Sequence, residues 1–245
     1  MSDDTEKDQN ISFSKLRHSA SLGNADAQIL LAVLFMQGAL GGELDFPTNM
    51  IEAEAASGNG RAQDIMGYFS LQGTGGMPQS SEQAIEWFKK AASNGQSLAA
   101  LRLGRIYSSG EFVKKDDAEA FKWYKLAADS GEPESQCFIG ACYLMPMVVA
   151  QDIEKAFNYL SLSASQGFDS AIYNLGLMYF EGIYVKQNYK QALALFEEAG
   201  NLGHLQAQLN ASYIYDKGMV GVPRDKIKAN RWLGKARREH SDEFF

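Results

Sequence analysis

A 36-residue period constrains this chain more than any other feature. Gly95, Gly131, Gly167 and Gly203 stand 36 residues apart, as do Ala84, Ala120, Ala156 and Ala192, with Ala229 following after 37. Tyr107, Tyr143, Tyr179 and Tyr215 keep the interval, and so do Gly104, Gly140 and Gly176, whose next member is Ser212. Upstream it loosens to 35 between Gly23 and Gly58 and to 37 between Gly58 and Gly95. Four position classes in one register mean structural repeats, each too small to bury its own apolar surface and obliged to stack on its neighbours.

Each repeat reads as two helices. In the third, Ala84, Trp87, Phe88, Ala91 and Ala92 recur at i, i+3, i+4, i+7 and i+8, one apolar stripe at helical spacing. Four residues before the alanine stands a side-chain oxygen, in Ser80, Asp116, Asp152, Asn188 and Asp225, suited to the N-cap. Gln83, Glu119 and Gln191 stand where a capping box would reach back. The periodic glycine is placed to end the helix in a left-handed turn. The second helix carries Ala99, Leu103, Gly104 and Tyr107, or Ala171, Leu175, Gly176 and Tyr179. A glycine inside a helix costs roughly 1 kcal/mol against alanine, so its recurrence requires a group pressed close to the backbone. Trp87, Trp123, Tyr159 and Phe196 are the expected partners.

The units run about 12–46, 47–79, 80–115, 116–151, 152–187 and 188–224, with a charged capping helix over 225–240 and a tail over 241–245. Residues 1–11 are acidic and polar, a composition that cannot offset its ordering entropy, and are expected to be a disordered tail. The fold expected is all-α, an α-solenoid of about six helix-turn-helix repeats plus the cap.

Composition narrows the function. With 23 Lys+Arg against 30 Asp+Glu the net charge is −7, so bulk affinity for nucleic acid or anionic membrane is not expected. Two cysteines cannot form a disulfide framework or a four-ligand zinc site, and the three histidines fall in no metal-ligand spacing. Cys137 and Cys142 lie five apart on one helix, about 140° around it, and read as free thiols. The glycine-rich stretches 38–42 and 73–76 lack the strand and the Lys-Ser/Thr of a phosphate loop and read as turns. Lys89, Lys90, Lys122 and Lys125, interspersed with acids, read as a solvated face. No cofactor, metal or catalytic residue is expected. With no apolar stretch long enough to span a bilayer and no signal-peptide pattern at its start, the chain is expected to be cytoplasmic.

The run from Ala118 to Gly131, with Ala120, Trp123, Tyr124, Ala127, Ala128 and Gly131 in register, resembles the Sel-one-like repeat (SLR) family, relatives of tetratricopeptide repeats. The second-helix run 174–185 fits as well, and the resemblance covers about residues 13–240. Three features depart from the pattern. The second unit lacks the aromatic pair, Pro146 replaces a loop glycine, and Phe112, Val148 and Tyr184 stand where another belongs. The resemblance implies a right-handed superhelix acting as a non-catalytic scaffold or adaptor for a protein or peptide partner. An immunity-type binder that occludes a toxin is the alternative. A hydrolase, as in cysteine-rich relatives, is the weakest reading, because no nucleophile–base–orienter set is visible.

Opposite the packing face of the second helix, Tyr173, Leu177 and Phe180 recur at i, i+4 and i+7. Their counterparts include Ile29, Val33 and Met36, then Asp64, Tyr68 and Leu71, Leu101 and Arg105, and Tyr213 and Asp216. In tetratricopeptide-like solenoids this helix lines the concave surface, so the resemblance implies a partner-binding groove there. The same stripe could also be core between adjoining repeats.

Overall fold

The computed structural model describes residues 14–37, 48–146 and 148–240, with the side chain of Met50 left out. The acidic segment 1–11, the turn 38–42 and the tail 241–245 lie outside the described residues. Helix α1 covers 14–21. It is followed by α2 (Ala25–Met36), α3 (Asn49–Ala56), α4 (Gly60–Gln72), α5 (Ser81–Ser93), α6 (Ser97–Ser109) and α7 (Asp117–Asp129). Then come α8 (Pro133–Leu144), α9 (Ile153–Ser165), α10 (Asp169–Glu181), α11 (Tyr189–Asn201), α12 (Leu205–Lys217) and α13 (Lys226–Glu239). Among the described residues there is no strand, only an isolated bridge between Met219 and Val222. The architecture is the helical repeat solenoid that the period requires. The chain divides into two compact units between Trp123 and Tyr124, inside α7.

Packing runs between neighbours along the chain. In the first unit α4 lies on α5, α5 on α6 and α3 on α4, with α2 touching both α3 and α4. In the second unit α8 lies on α9, α9 on α10, α10 on α11, α11 on α12 and α12 on α13. The close fit of a second helix on the first helix that follows explains its glycine. A Cβ on Gly67 would come within 2.6 Å of the Phe88 ring, one on Gly140 within 2.7 Å of Leu160, and one on Gly176 within 2.6 Å of Phe196. Phe88, Leu160 and Phe196 are fully buried. Phe196 is the partner the sequence suggested. Phe88 and Leu160 stand one residue beyond the expected Trp87 and Tyr159, in register with Phe196 four residues after the periodic alanine. Where the class changes to Ser212, its hydroxyl donates to the Ala229 carbonyl at 2.9 Å, so the added atoms are satisfied across the same seam.

The helix starts follow the capping oxygens. Ser80, Asp116, Asp152 and Asn188 each accept from the backbone N–H three residues on, and Asp225 accepts from Ile227 and Lys228. The capping-box residues do not close the other half. The N–H groups of Asp116, Asp152, Asn188 and Asp225 donate to the carbonyls of Tyr107, Tyr143, Tyr179 and Tyr215, and that of Ser80 to Ser70. The periodic tyrosine thus marks the last turn of a second helix, whose orphan carbonyl is satisfied by the next cap. The periodic glycines have positive φ, +83° at Gly95 and +100° at Gly203. A methyl group at either would meet no heavy atom within 4 Å, so these glycines serve backbone conformation alone.

A buried glutamine class has no signal in the glycine and alanine periods. Nε2 of Gln28, Gln63, Gln136 and Gln208 donates to the carbonyls of Ala20, Ala55, Ala128 and Gly200, at the end of the preceding helix. Two of them also reach the next repeat: Gln63 Oε1 accepts from Asn94 at 2.8 Å, and Gln136 Oε1 from Gln166 at 2.9 Å. Thus one side chain joins three helix ends. Of the loop positions that depart from the family pattern, Tyr184 is strained. It takes φ +65°, which costs a non-glycine residue roughly 1–2 kcal/mol, and its ring lies against Phe157.

These seams set the sign of glycine substitutions. Gly176→Ala is expected to destabilise by about 1–3 kcal/mol, because the buried Phe196 ring must move. Gly234→Ala on α13, where the nearest atom is the end of Arg238 at 3.5 Å, is expected to stabilise by about 0.5–1 kcal/mol. Chemical denaturation of the two variants beside the parent protein measures both.

Candidate protein-interaction site

In the first unit the second helices α2, α4 and α6 border a cleft of about 400 Å³. Val33 and Met36 come from α2, Arg61, Asp64, Ile65 and Tyr68 from α4, and Leu98 and Arg102 from α6. Leu98 is 53% exposed, an apolar side chain left open to solvent. Across the cleft the Arg102 guanidinium lies 3.1 Å from the Asp64 carboxylate and above the Tyr68 ring, 5.6 Å from its centroid. Burial raises the pKa of Asp64 against the opposing pull of Arg102, so the ion pair is largely desolvated on its acidic side. The cleft therefore offers apolar walls around one organised pair of charges.

Of the residues singled out from the sequence, Val33, Met36, Asp64 and Tyr68 line this cleft. Leu71 is half-buried on the next turn of α4, Leu101 is buried in the core and Arg105 is exposed on α6. On α6 the cleft is reached instead by Leu98 and Arg102, which do not share the register of Tyr173.

In the second unit the aromatic stripe of α10 leans on the following helices. The Tyr173 ring stacks on His204 with centroids 4.4 Å apart and tilts against Phe196. Phe180 meets Tyr189 edge-on at 5.3 Å and also borders Phe196. Leu177 packs against the same core cluster. All three are half-buried, whereas Tyr213 on α12 is 49% exposed. Asp216, one turn on, lies 3.7 Å from Arg224. So the stripe is shared between packing and surface, with Tyr213 and Asp216 on the surface side.

His204 has a role that its sequence position does not suggest. It is the N-cap of α12, where Nδ1 accepts from the Ala207 N–H at 3.3 Å. The same position holds Asn24, Asn59 and Glu132, which cap their helices, and Gln96 and Phe168, which make no side-chain cap bond. Burial lowers the His204 pKa below the usual histidine value, partly offset by Asp169. Cys137 is buried and Cys142 half-buried, neither in a disulfide, and burial pushes the Cys137 thiol up to about 11, far from a reactive thiolate. Among the described residues no three His, Cys, Asp or Glu side chains gather as a metal site, and no helix is long and apolar enough to cross a membrane.

These placements separate packing residues from surface ones. Phe180→Ser is expected to cost about 2 kcal/mol or more through lost ring packing, while Tyr213→Ser stays within about 0.5 kcal/mol, as denaturant midpoints would show. A histidine pKa lowered by folding gives stability that is present above the unfolded value of about 6.5 and is lost as pH falls through the folded one. Melting temperature is therefore expected to drop more between about pH 7.5 and 5 for the parent protein than for His204→Asn, which caps without titrating.

The likeness to known proteins agrees with this geometry. The Sel1 repeat model matches residues 25–47, 60–96, 97–132, 133–168, 169–204 and 205–240. From residue 60 on, each match joins a second helix to the first helix after it. A Sel1 repeat protein from Oxalobacter formigenes is 29% identical, with 89% of each chain covered and a TM-score of 0.74. A protective antigen of uropathogenic Escherichia coli with an SLR fold is 27% identical at a TM-score of 0.63, covering 94% of this chain and 57% of that one. An immunity protein from Pseudomonas aeruginosa shares the fold at 19% identity and a TM-score of 0.53, covering 89% of this chain and 82% of its own. No curated protein gives a significant match. With repeats matched from Ala25 to His240 and the glycine seams packed as described, the chain belongs to the Sel1 repeat family.

Proposed function

We propose that this protein is a scaffold or adaptor that holds a protein or peptide partner along the surface of its second helices. The observation that carries the reading is the cleft between α2, α4 and α6, whose apolar walls surround the Arg102–Asp64 pair. Such a surface suits an amphipathic segment, with apolar side chains against Val33, Met36, Tyr68 and Leu98 and a polar group directed at Arg61 or Arg102. Sel1 repeat proteins are in general non-catalytic scaffolds for protein interaction, which supports the reading. In the first unit Leu71 and Arg105 extend the proposed surface and Leu101 shapes it from beneath; on the second unit Tyr213 and Asp216, with Tyr173, Leu177 and Phe180 beneath them, offer a counterpart surface. Stacked helices hold these side chains in place before a partner arrives, so little ordering entropy opposes binding. Cys137 and Cys142, neither in a disulfide, suit a reducing compartment, and we read the working location as cytoplasmic. An immunity-type binder that occludes a toxin would use the same surface. The likeness to the Pseudomonas immunity protein is one of fold.

A photo-crosslinking side chain placed at Leu98 tests the proposal in the full-length protein. It is expected to capture a discrete partner, and the capture is expected to fall at least about tenfold in the Tyr68→Ser variant. The same label at Leu162, an exposed leucine on first helix α9, is expected to capture little of that partner. Equal labelling from both positions would rule out the second-helix surface as the binding site.

A further inference from the structure

The cleft beside the last helix carries a different chemistry from the one beside α4. On α13, Lys228, Arg231, Lys235 and Arg238 recur at i, i+3, i+7 and i+10, which places them along one face. Together with Trp232 they line a cleft of about 580 Å³ in the second unit, closed on the other side by Glu197 and Tyr215. A helix that merely covers the end of a core needs a mixed polar face. Here four cations converge in a chain whose net charge is −7.

The two carboxylates in the cleft are already engaged. Glu197 Oε1 accepts from the Tyr215 hydroxyl at 2.9 Å and from the Trp232 indole N–H at 3.4 Å. Glu239 accepts from the buried Gln208 amide at 2.6 Å and lies 3.9 Å from Lys235. Lys235 donates to the Gly200 carbonyl at 2.9 Å, and the Lys228 ammonium lies over the Tyr215 ring. Arg231 and Arg238 are exposed and form no ion pair among the described residues. They are the cations left for a ligand.

Their spacing says which kind. Seven residues apart on one helix, Arg231 and Arg238 stand about 10 Å from each other along its axis. A peptide in the extended polyproline-II form advances about 3.1 Å per residue with three residues per turn, so carboxylates three residues apart project from one side and span about that distance. A guanidinium takes a carboxylate through two parallel hydrogen bonds, and a concave site with low-dielectric walls strengthens the attraction. The Trp232 ring between the two arginines in sequence is half-buried against the core and carries the Lys235 ammonium 5.3 Å from its centroid, which adds a third cation to the wall of the cleft. A continuous phosphate backbone fits less well, because Glu197 and Glu239 would repel it, whereas a peptide can turn amide N–H groups toward them.

We infer that the cleft lined by α13 binds an extended acidic segment of a partner protein, with two carboxylates three residues apart on Arg231 and Arg238. This surface is separate from the cleft between α2, α4 and α6 and does not depend on the reading of that site.

The test uses the full-length protein and a short fluorescein-labelled peptide of serine and leucine with two glutamates three residues apart, followed by fluorescence anisotropy. Binding is expected to weaken at least about tenfold when both glutamates are replaced by glutamine, when the protein carries Arg231→Glu with Arg238→Glu, and when salt rises from about 50 to 300 mM. Arg231→Gln with Arg238→Gln serves as the second variant if the charge reversal impairs folding. Leu98→Glu is expected to leave peptide binding unchanged. Equal affinity for the glutamine peptide, or undiminished binding by both arginine variants, would overturn the inference. So would a single-stranded oligonucleotide or inorganic phosphate that binds more tightly than the peptide, or peptide binding that emerges only after residues 241–245 are removed.

Discussion

The approach of one helix backbone to a buried side chain of the next holds this molecule together. Gly67 under Phe88, Gly140 under Leu160 and Gly176 under Phe196 are one contact repeated, and in each a single methyl would collide with a fully buried group. The glycine lowers the helix propensity of its own segment by roughly 1 kcal/mol. Against that stands a large side chain buried to completion, worth about 1.5–3 kcal/mol, together with dispersion contacts along the seam. Local preference thus yields to a nearest-neighbour interface, the term on which a stacked repeat protein depends. The exception supports the rule: Ser212 brings a hydroxyl into the seam and finds an acceptor, the Ala229 carbonyl, at hydrogen-bond distance.

A second set of interactions keeps the seams in register. Helices in a repeat array have many ends, and each end leaves donors and acceptors without partners within the helix. Here the ends satisfy one another. The cap residue at the start of a first helix accepts with its side chain from its own first turn and donates its backbone N–H to the tyrosine carbonyl behind it. Buried Gln63 and Gln136 do the same at the other end, binding the carbonyls of Ala55 and Ala128 while accepting from Asn94 and Gln166. A buried polar group left unpaired costs about 1–3 kcal/mol, so these bonds disfavour a slipped stack more than they favour a correct one. At the last repeat the pattern changes partner. Gln208 donates to both Gly200 and Glu239, and its Oε1 has no hydrogen-bond partner among the described residues.

The features legible in the sequence are those that repeat in the simplest residue types. The glycine, alanine and tyrosine periods point to the two-helix unit, the N-caps at Ser80, Asp116, Asp152, Asn188 and Asp225, and the left-handed turns, because each depends on the residue's own backbone and side chain. Trp87 and Tyr159 miss the glycine contact by one residue, since both i+3 and i+4 positions face a helix stripe and only three-dimensional packing ranks them. The glutamine class is hard to see because it is interrupted: Ala100 and Ile172 occupy its place in two units, where apolar packing replaces the hydrogen bonds. His204 stands at a position that varies freely in type, yet its ring caps α12 and stacks on Tyr173 at once. In the candidate groove, Val33, Met36, Asp64 and Tyr68 are legible and Leu98 and Arg102 are not. The equivalence rests on α10, whose stripe turns toward its neighbour.

The two clefts differ in how their charges are held. Between α2, α4 and α6, Arg102 is neutralised by Asp64 and shielded by the Tyr68 ring, so a ligand gains there chiefly by covering Val33, Met36 and Leu98. Association with such a surface should respond more to shape than to salt, because its central pair of charges is matched already and Arg61 alone among its cations is left to a partner's polar group. Beside α13 the balance is reversed, with carboxylates tied to Tyr215, Trp232 and Gln208 and arginines left open. The same repeat geometry supports both, since the seam glycines and the cap bonds use none of the outward positions. That separation lets a repeat scaffold vary its surface chemistry from one helix pair to the next without loosening the stack that presents it.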